Sequence, residues 1–325
     1  MKAMIIKEIG TTAVFQLEEK PKPTATLGHM VVEVKATSVN PIDTMLRSVE
    51  LPWSENLPEI LHGDVAGIVS EIGADVTEFS VGDEVYGMAG GLNGIDGALA
   101  EFMLVDVRLM AKKPKTLSMK QAAALPLVAL TSYEALVQKM NVKEGDNVLI
   151  HGATGGVGHI AVQLAKVLGA TVTATYSPAN RALAQTLGAD HLVDYTTAEV
   201  DDYVATYTDS VGFDKVFDTV AGDNIQKSFQ AVRFNGHVAT ILPIADPLQV
   251  ALKALSFHGV LVLIPLFHGV NHESHGRILK MIAELVDSGK ITPIIDDSNY
   301  SIWEVARAHD HLESGKAVGK ITLTV

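Results

Sequence analysis

Between residues 147 and 242 the chain alternates short β-branched runs with amphipathic stretches. The runs are NVLIHG (147–152), TVTATY (171–176), HLVDY (191–195), KVFDTV (215–220) and HVATIL (237–242), and the stretches at 157–168, 179–187, 198–207 and 223–232 have helical spacing. Strands and helices at this interval predict βαβ units around a parallel sheet. The first part of the chain has a different texture. HMVVEVKATSV (29–39), DVAGIVSEIG (64–73), SVGDEVYGM (80–88) and GALAEFMLVD (97–106) read as strands closely punctuated by glycine and proline, which suits a small barrel-like domain. Residues 118–137 then read as a helix capped at Ser118. After the alternating region come an amphipathic helix at 276–289 and a last strand, GKITLTV (319–325). This order predicts an α/β protein: a β-rich segment over 1–120, a doubly wound domain over 121–260, and a return segment over 261–325 that completes the first domain. A cleft between the two domains is the expected ligand site.

Composition narrows the class. The 325 residues carry a formal net charge of −13 and 47% apolar side chains. No basic patch stands out, so nucleic acid is not an expected partner. No uninterrupted apolar run approaches membrane-span length. MKAMIIKEIG (1–10) lacks a signal-peptide pattern and reads as a first strand. There is no cysteine, which excludes disulfides and thiolate metal sites and fits a cytoplasmic protein.

The chemistry concentrates in VLIHGATGGVGHIAVQLAK (148–166). Ala153, Gly155 and Gly158 take the three positions of a dinucleotide-binding turn between strand and helix. The turn Ala153, Thr154, Gly155, Gly156, Val157, Gly158 would bring backbone N–H groups and a helix N-terminus to a pyrophosphate. An NAD site usually carries an acid at the end of the second strand. Here Ser177 stands there, with Asn180 and Arg181 just after it. Without a carboxylate to repel it, a 2′-phosphate can pair with arginine, so NADPH is the expected cofactor. Asp218, Thr219 and Val220 end the fourth strand, where loops of an open α/β sheet meet ligand.

SVNPIDTMLR (38–47), HGDVAGIVSEIG (62–73), FSVGDEVYG (79–87), LPLVALTSYEAL (125–136), the glycine turn, LGADHLVDY (187–195), DTVAG (218–222) and VGKITLTV (318–325) together resemble the zinc-independent quinone oxidoreductase branch of the medium-chain dehydrogenase/reductase superfamily. The resemblance implies a Rossmann-type sheet with a GroES-like catalytic domain. It implies that Asn40 lies near the nicotinamide, that Thr131 touches the cofactor, and that Tyr195 reaches the 2′-phosphate. Ile241, Leu263 and Lys320 complete the expected cofactor set. Asp43 looks like a hydrogen-bond anchor, and Asp64 like an organiser of backbone N–H groups. Family members often carry tyrosine where this chain has Met45, so a softer, apolar pocket wall is expected there.

Zinc-dependent members of the superfamily place a cysteine and a Gly-His-Glu at positions held here by Asn40 and by His62-Gly63-Asp64, with the histidine one residue early. No catalytic metal is therefore expected. His268, His272 and His275 form a rival pattern, read as a solvated or helix-capping cluster. Quinones and conjugated carbonyls suit a metal-free site, because conjugation spreads the developing charge. The expected function is NADPH-dependent reduction of such acceptors. The alternatives are reduction of an enone or enal carbon–carbon double bond, and, from another class, a non-catalytic NADPH-binding sensor. The loops 46–58 and 88–97 are expected to line the substrate pocket. The apolar stretch HGVLVLIPLF (258–267) reads as an edge strand and suggests a homodimer.

Overall fold

The computed structural model describes residues 1–51, 54–242 and 246–325. The chain forms two compact units: Met1–Leu127 with Leu263–Val325, and Val128–Val262. The sequence reading places the joins at 120/121 and 260/261.

The first unit is built mainly from antiparallel strands: β1 (Lys2–Ile5), β2 (Gln16–Glu19), β3 (His29–Ser38), β4 (Asp64–Ile72), β5 (Glu84–Met88), β6 (Phe102–Asp106) and β7 (Met110–Lys112). β3 is the hub. It pairs with β4 and β6, and also with a strand from the far end of the chain. The core joins both ends of the sequence, with Ile5, Leu61 and Leu99 packed against Ile302, Val305 and Leu323.

The second unit contains β8 (Asn147–His151), β9 (Thr171–Tyr176), β10 (His191–Asp194), β11 (Phe213–Asp218), β12 (Val232–Thr240) and β13 (Ser256–Gly259). They form one parallel sheet in the order β10-β9-β8-β11-β12-β13. This is the strand order of the doubly wound nucleotide-binding fold, with its reversal between β8 and β11. Leu149, Phe213, Val216 and Phe229 fill the core on one face. The return segment supplies β14 (Tyr300–Ser301) and β15 (Thr322–Thr324), and β15 pairs antiparallel with β3. Among the described residues no helix is long and apolar enough to cross a membrane.

Three expectations need correction. The helix over 118–137 is broken into Met119–Ala123, Pro126–Tyr133 and a π-helical Glu134–Lys139. Pro126 starts a helix because it cannot sit inside one. The apolar stretch 258–267 is not one strand. β13 is indeed an edge strand but stops at Gly259, and Pro265 occupies the first turn of a short helix, Ile264–His268, where its missing N–H has no cost. The histidine cluster is not solvated. His272 and His275 open the helix His272–Asp287 and are buried, and only His268 is exposed. His272 is held by the Asp106 carboxylate at 2.8 Å and the Pro265 carbonyl at 2.9 Å. Among the described residues no group of three or more histidines and acids could hold a metal ion.

Candidate active site

In the second unit the turn after β8 is shaped by close approaches. Gly152 has φ +78°, and its N–H donates to Thr175 Oγ1 at 3.0 Å. A Cβ on Gly158 would lie 2.0 Å from the Gly152 carbonyl oxygen, so the helix Gly158–Val167 can meet the strand only with glycine there. Gly155 is exposed, and a Cβ on it would meet only ordinary contact at 3.4 Å. The turn therefore offers open backbone at Gly155 and tight packing at Gly158, as a pyrophosphate cradle requires.

The end of β9 bends back to this turn. Asn180 Nδ2 donates to Thr154 Oγ1 at 3.2 Å, and the Asn180 N–H donates to the Ser177 carbonyl at 2.8 Å. Arg181, exposed, begins the next helix. Thr154, Ser177, Asn180 and Arg181 are thus gathered in one place with no carboxylate in the Ser177 position. Across the strand-order reversal, Asp218 organises the loop after β11. Its carboxylate accepts from the N–H groups of Val220 (3.0 Å) and Ala221 (2.9 Å), from Asn224 and from Ser228. Thr219 Oγ1 donates to the His151 carbonyl at 2.6 Å and pins that loop to β8. Tyr195 and Ile241 follow β10 and β12, and Tyr195 is exposed. Thr131 is buried in this unit. These residues fit a nicotinamide dinucleotide. Ile241 adjoins residues 243–245, which lie outside the described ones.

The first unit holds a buried polar cluster that sequence reasoning found only in pieces. Asn40, Asp43, Asp64 and Lys320 are each at most 3% exposed. Asn40 Nδ2 donates to Asp64 Oδ2 at 2.8 Å, while its Oδ1 accepts from Lys320 Nζ. Lys320 Nζ also donates to the Val39 carbonyl at 2.9 Å and lies 3.8 Å from Asp64 Oδ2. Asp64 further accepts from Ser38 Oγ (2.7 Å) and the Leu127 N–H (2.9 Å). Asp43 Oδ2 accepts the Asn40 N–H at 2.7 Å and anchors the helix Pro41–Ser48, which carries half-buried Met45. Burial raises both carboxyls, Asp43 to about 7, and lowers the Lys320 ammonium. Asp64 organises side chains as much as backbone, which differs from its expected role. Lys320 turns its ammonium onto Val39 and Asn40. These bonds engage both ends of the Asn40 amide.

His62 is a second residue whose role was not legible. It adopts φ +70°, and its Nε2 lies 2.9 Å from Nε2 of His309. Thr37 Oγ1 donates its proton to the Asp64 carbonyl at 2.6 Å, so it can only accept from His62 Nδ1 at 3.4 Å. His62 Nε2 is then the acceptor and His309 Nε2–H the donor. Burial holds both imidazoles neutral, with His309 at about 3.

The donor set does not fit zinc. His62 Nε2, Asn40 Oδ1 and the Asp64 carboxylate are each taken by a protein hydrogen bond, and the chain has no thiolate. Leu263 is buried in the first unit. The loop 88–97 contributes Ala89 and Gly94–Asp96 to a cavity of about 570 Å³ that Ile60 and Phe102 also line. Of the other expected pocket loop, residues 52 and 53 lie outside the described ones.

Comparison with known proteins agrees with this construction. Residues 26–115 match the alcohol dehydrogenase GroES-like domain, and residues 187–323 match a domain described as zinc-binding dehydrogenase. The chain is 34% identical to 2-methylene-furan-3-one reductase of Solanum lycopersicum, over 99% of this chain and 79% of that one. It is 32% identical to the chloroplastic NADPH-dependent alkenal/one oxidoreductase of Arabidopsis thaliana, with the same two shares covered. The quinone oxidoreductase of Coxiella burnetii superposes with a TM-score of 0.85 at 31% identity, covering 100% of this chain and 99% of that one. With the strand order, the glycine turn and these similarities in agreement, the chain belongs to the medium-chain dehydrogenase/reductase superfamily, in its quinone oxidoreductase branch, and is an oxidoreductase.

Proposed function

We propose that the protein is an NADPH-dependent, zinc-independent reductase of quinones and related conjugated carbonyls. The carrying observation is the buried cluster: Asn40, Asp64 and His62, at or beside the positions where zinc-dependent members hold their metal, are each already bound within the protein. A substrate reduced here must need no Lewis acid, and conjugated acceptors meet that condition.

When bound, the nicotinamide supplies the hydride; the protein supplies position and electrostatics. Gly155, Gly156 and the helix beginning at Gly158 would hold the pyrophosphate through backbone N–H groups. Thr154, Ser177, Asn180 and Arg181 would hold the 2′-phosphate, with Tyr195 beside them. Thr219 and Val220, on the loop fixed by Asp218, and Thr131 and Ile241 would border the nicotinamide end. Met45 would offer the acceptor a polarisable apolar wall. A homodimer through the exposed edge of β13 and a cytoplasmic location belong to the same reading. The dimer rests on that unpaired edge beside Leu261, which is 43% exposed.

A second reading, reduction of the carbon–carbon double bond of an enone or enal, draws on the names of the alkenal/one and methylene-furanone relatives. NADPH oxidation with a panel of quinones and enones, followed by product analysis, separates the two. Hydroquinone from the quinone with the enone untouched supports the first; a saturated ketone supports the second. Tight NADPH binding without turnover on any acceptor would replace both with a sensor role.

A further inference from the structure

The buried cluster of the first unit contains two carboxylates, an amide and one ammonium, all away from solvent. Fully ionised, Asp43, Asp64 and Lys320 would sum to one negative charge. Asp64 accepts from Ser38, Asn40 and Leu127 and also faces Lys320, a set of partners that favours its ionised form. Such a carboxylate needs a nearby cation, and Lys320 lies 3.8 Å away. The same ammonium is bound by the Asn40 amide oxygen and the Val39 carbonyl, both at the start of the helix Pro41–Ser48.

Oxygen donors arranged around one positive charge resemble the surroundings of a bound metal ion, but here the charge arrives covalently, on a residue just before β15 near the far end of the chain. We infer that Lys320 is the resident cation of this site: its ammonium takes the place a metal would need, and through Asn40 it positions the helix that carries Met45. An amide held at both ends has one orientation. Its oxygen faces Lys320, its nitrogen faces Asp64, and the helix N-terminus cannot rotate without breaking one of the two bonds. Lys320 is thus a positioning residue. It makes the first unit independent of metal while keeping the charge that Asp64 requires. This inference rests on the proposed reductase reading for its catalytic consequence, but not for its charge balance.

The test uses the full-length protein. Lys320→Met should lower the melting temperature by about 10 °C, since it strands a buried carboxylate. It should lower kcat by roughly 10–100-fold with little change in the KM for NADPH, because the helix rather than the cofactor cradle is displaced. Lys320→Ala should regain part of both losses in millimolar propylammonium, but not in the same concentration of sodium chloride. Asp64→Asn combined with Lys320→Met should be more stable than the sum of the two single losses allows, since removing both charges leaves none unpaired. Wild-type protein exposed to buffered zinc should retain none after gel filtration. Strict additivity of the two substitutions, absence of amine rescue, or zinc retained by the wild type and lost in Asp64→Asn would each overturn the inference. If Lys320→Met does not fold, Lys320→Ala refolded with and without propylammonium decides the matter by melting temperature. Lack of NADPH turnover in the wild type would count against the reductase reading alone, because the zinc, melting and additivity measurements do not depend on turnover.

Discussion

The nucleotide turn of the second unit and the buried cluster of the first serve one protein by opposite means. The turn works through backbone: its glycines leave room for a helix and expose N–H groups, and its side-chain ties, to Thr175 and Asn180, reach no further than the next strand and the residues just after it. The cluster works through side chains, and its members come from positions 38–43, 64, 127 and 320. The first is local in sequence and tolerant of its surroundings. The second exists only when four segments far apart in the chain meet. Local backbone devices can be recognised as motifs, whereas assembled side-chain devices have no spacing to recognise.

The most severe way to break the turn is Gly158→Ala. Its methyl would stand 2.0 Å from the Gly152 carbonyl, so overpacking of roughly 1–3 kcal/mol or more is expected, together with loss of NADPH binding. Gly155→Ala meets only a 3.4 Å contact and should fold normally while binding NADPH more weakly. Calorimetry and cofactor titration of the two variants test the distinction. Equal melting temperatures would show that the helix does not need the close approach.

Arg181→Glu sharpens the cofactor side. Replacing a charge-assisted pair of about 1.5–3 kcal/mol by repulsion should weaken NADPH by roughly 10–150-fold while leaving NADH nearly unchanged. Parallel titrations with both cofactors measure it, and an equal loss for the two would remove Arg181 from the 2′-phosphate site.

The first unit should respond to pH through Asp43 and His309. Asp43 keeps its proton in the folded state up to about 7, against an ordinary 3.8. Its stabilising contribution is full below the ordinary value and falls as pH rises towards 7. His309 stays neutral in the fold down to about 3, against an ordinary 6.5, so its contribution is present above the ordinary value and is lost as pH falls towards 3. The two slopes oppose each other between pH 3.8 and 6.5. Asp43→Asn should therefore steepen the acid-side loss of melting temperature, and His309→Gln should flatten it. Identical pH profiles for wild type and both variants would mean that neither group titrates differently on folding.

The smallest effect concerns assembly. Leu261→Lys changes an exposed position beside the β13 edge, so it should alter sedimentation without altering the melting temperature of the unit. Val262, at 7% exposure, would test the core instead. A wild-type chain sedimenting as a 34.6 kDa monomer at micromolar concentration would dispose of the edge-to-edge dimer.

Much of the fold was legible because it is periodic. The strands β8 to β11 begin and end within two residues of the runs of alternating apolar residues, whereas β12 starts earlier, at Val232, and β13 (Ser256–Gly259) overlaps only the start of its apolar stretch. The misread segments were aperiodic or ambiguous. The stretch 258–267 is apolar throughout, so its period could not distinguish strand from helix, and Pro265 fits the first turn of a helix as well as an edge. His272 and His275 looked exposed because glycine and asparagine precede them, yet they sit on the inner face of the helix His272–Asp287, where Asp106 and the Pro265 carbonyl await His272.

By itself the sequence determined the sheet, the glycine turn, the missing acid at Ser177 and the lack of any thiolate, because each is a property of neighbours in the chain. Tertiary structure alone decided that Lys320 faces Asn40 and Asp64, and that His309 donates its proton to His62. Those choices depend on desolvation and on which donor reaches which acceptor across more than 240 residues of chain, as in the 247-residue separation of His62 from His309 and the 280 of Asn40 from Lys320. A buried charge takes whatever partner the fold brings within reach, and no local pattern records that partner in advance.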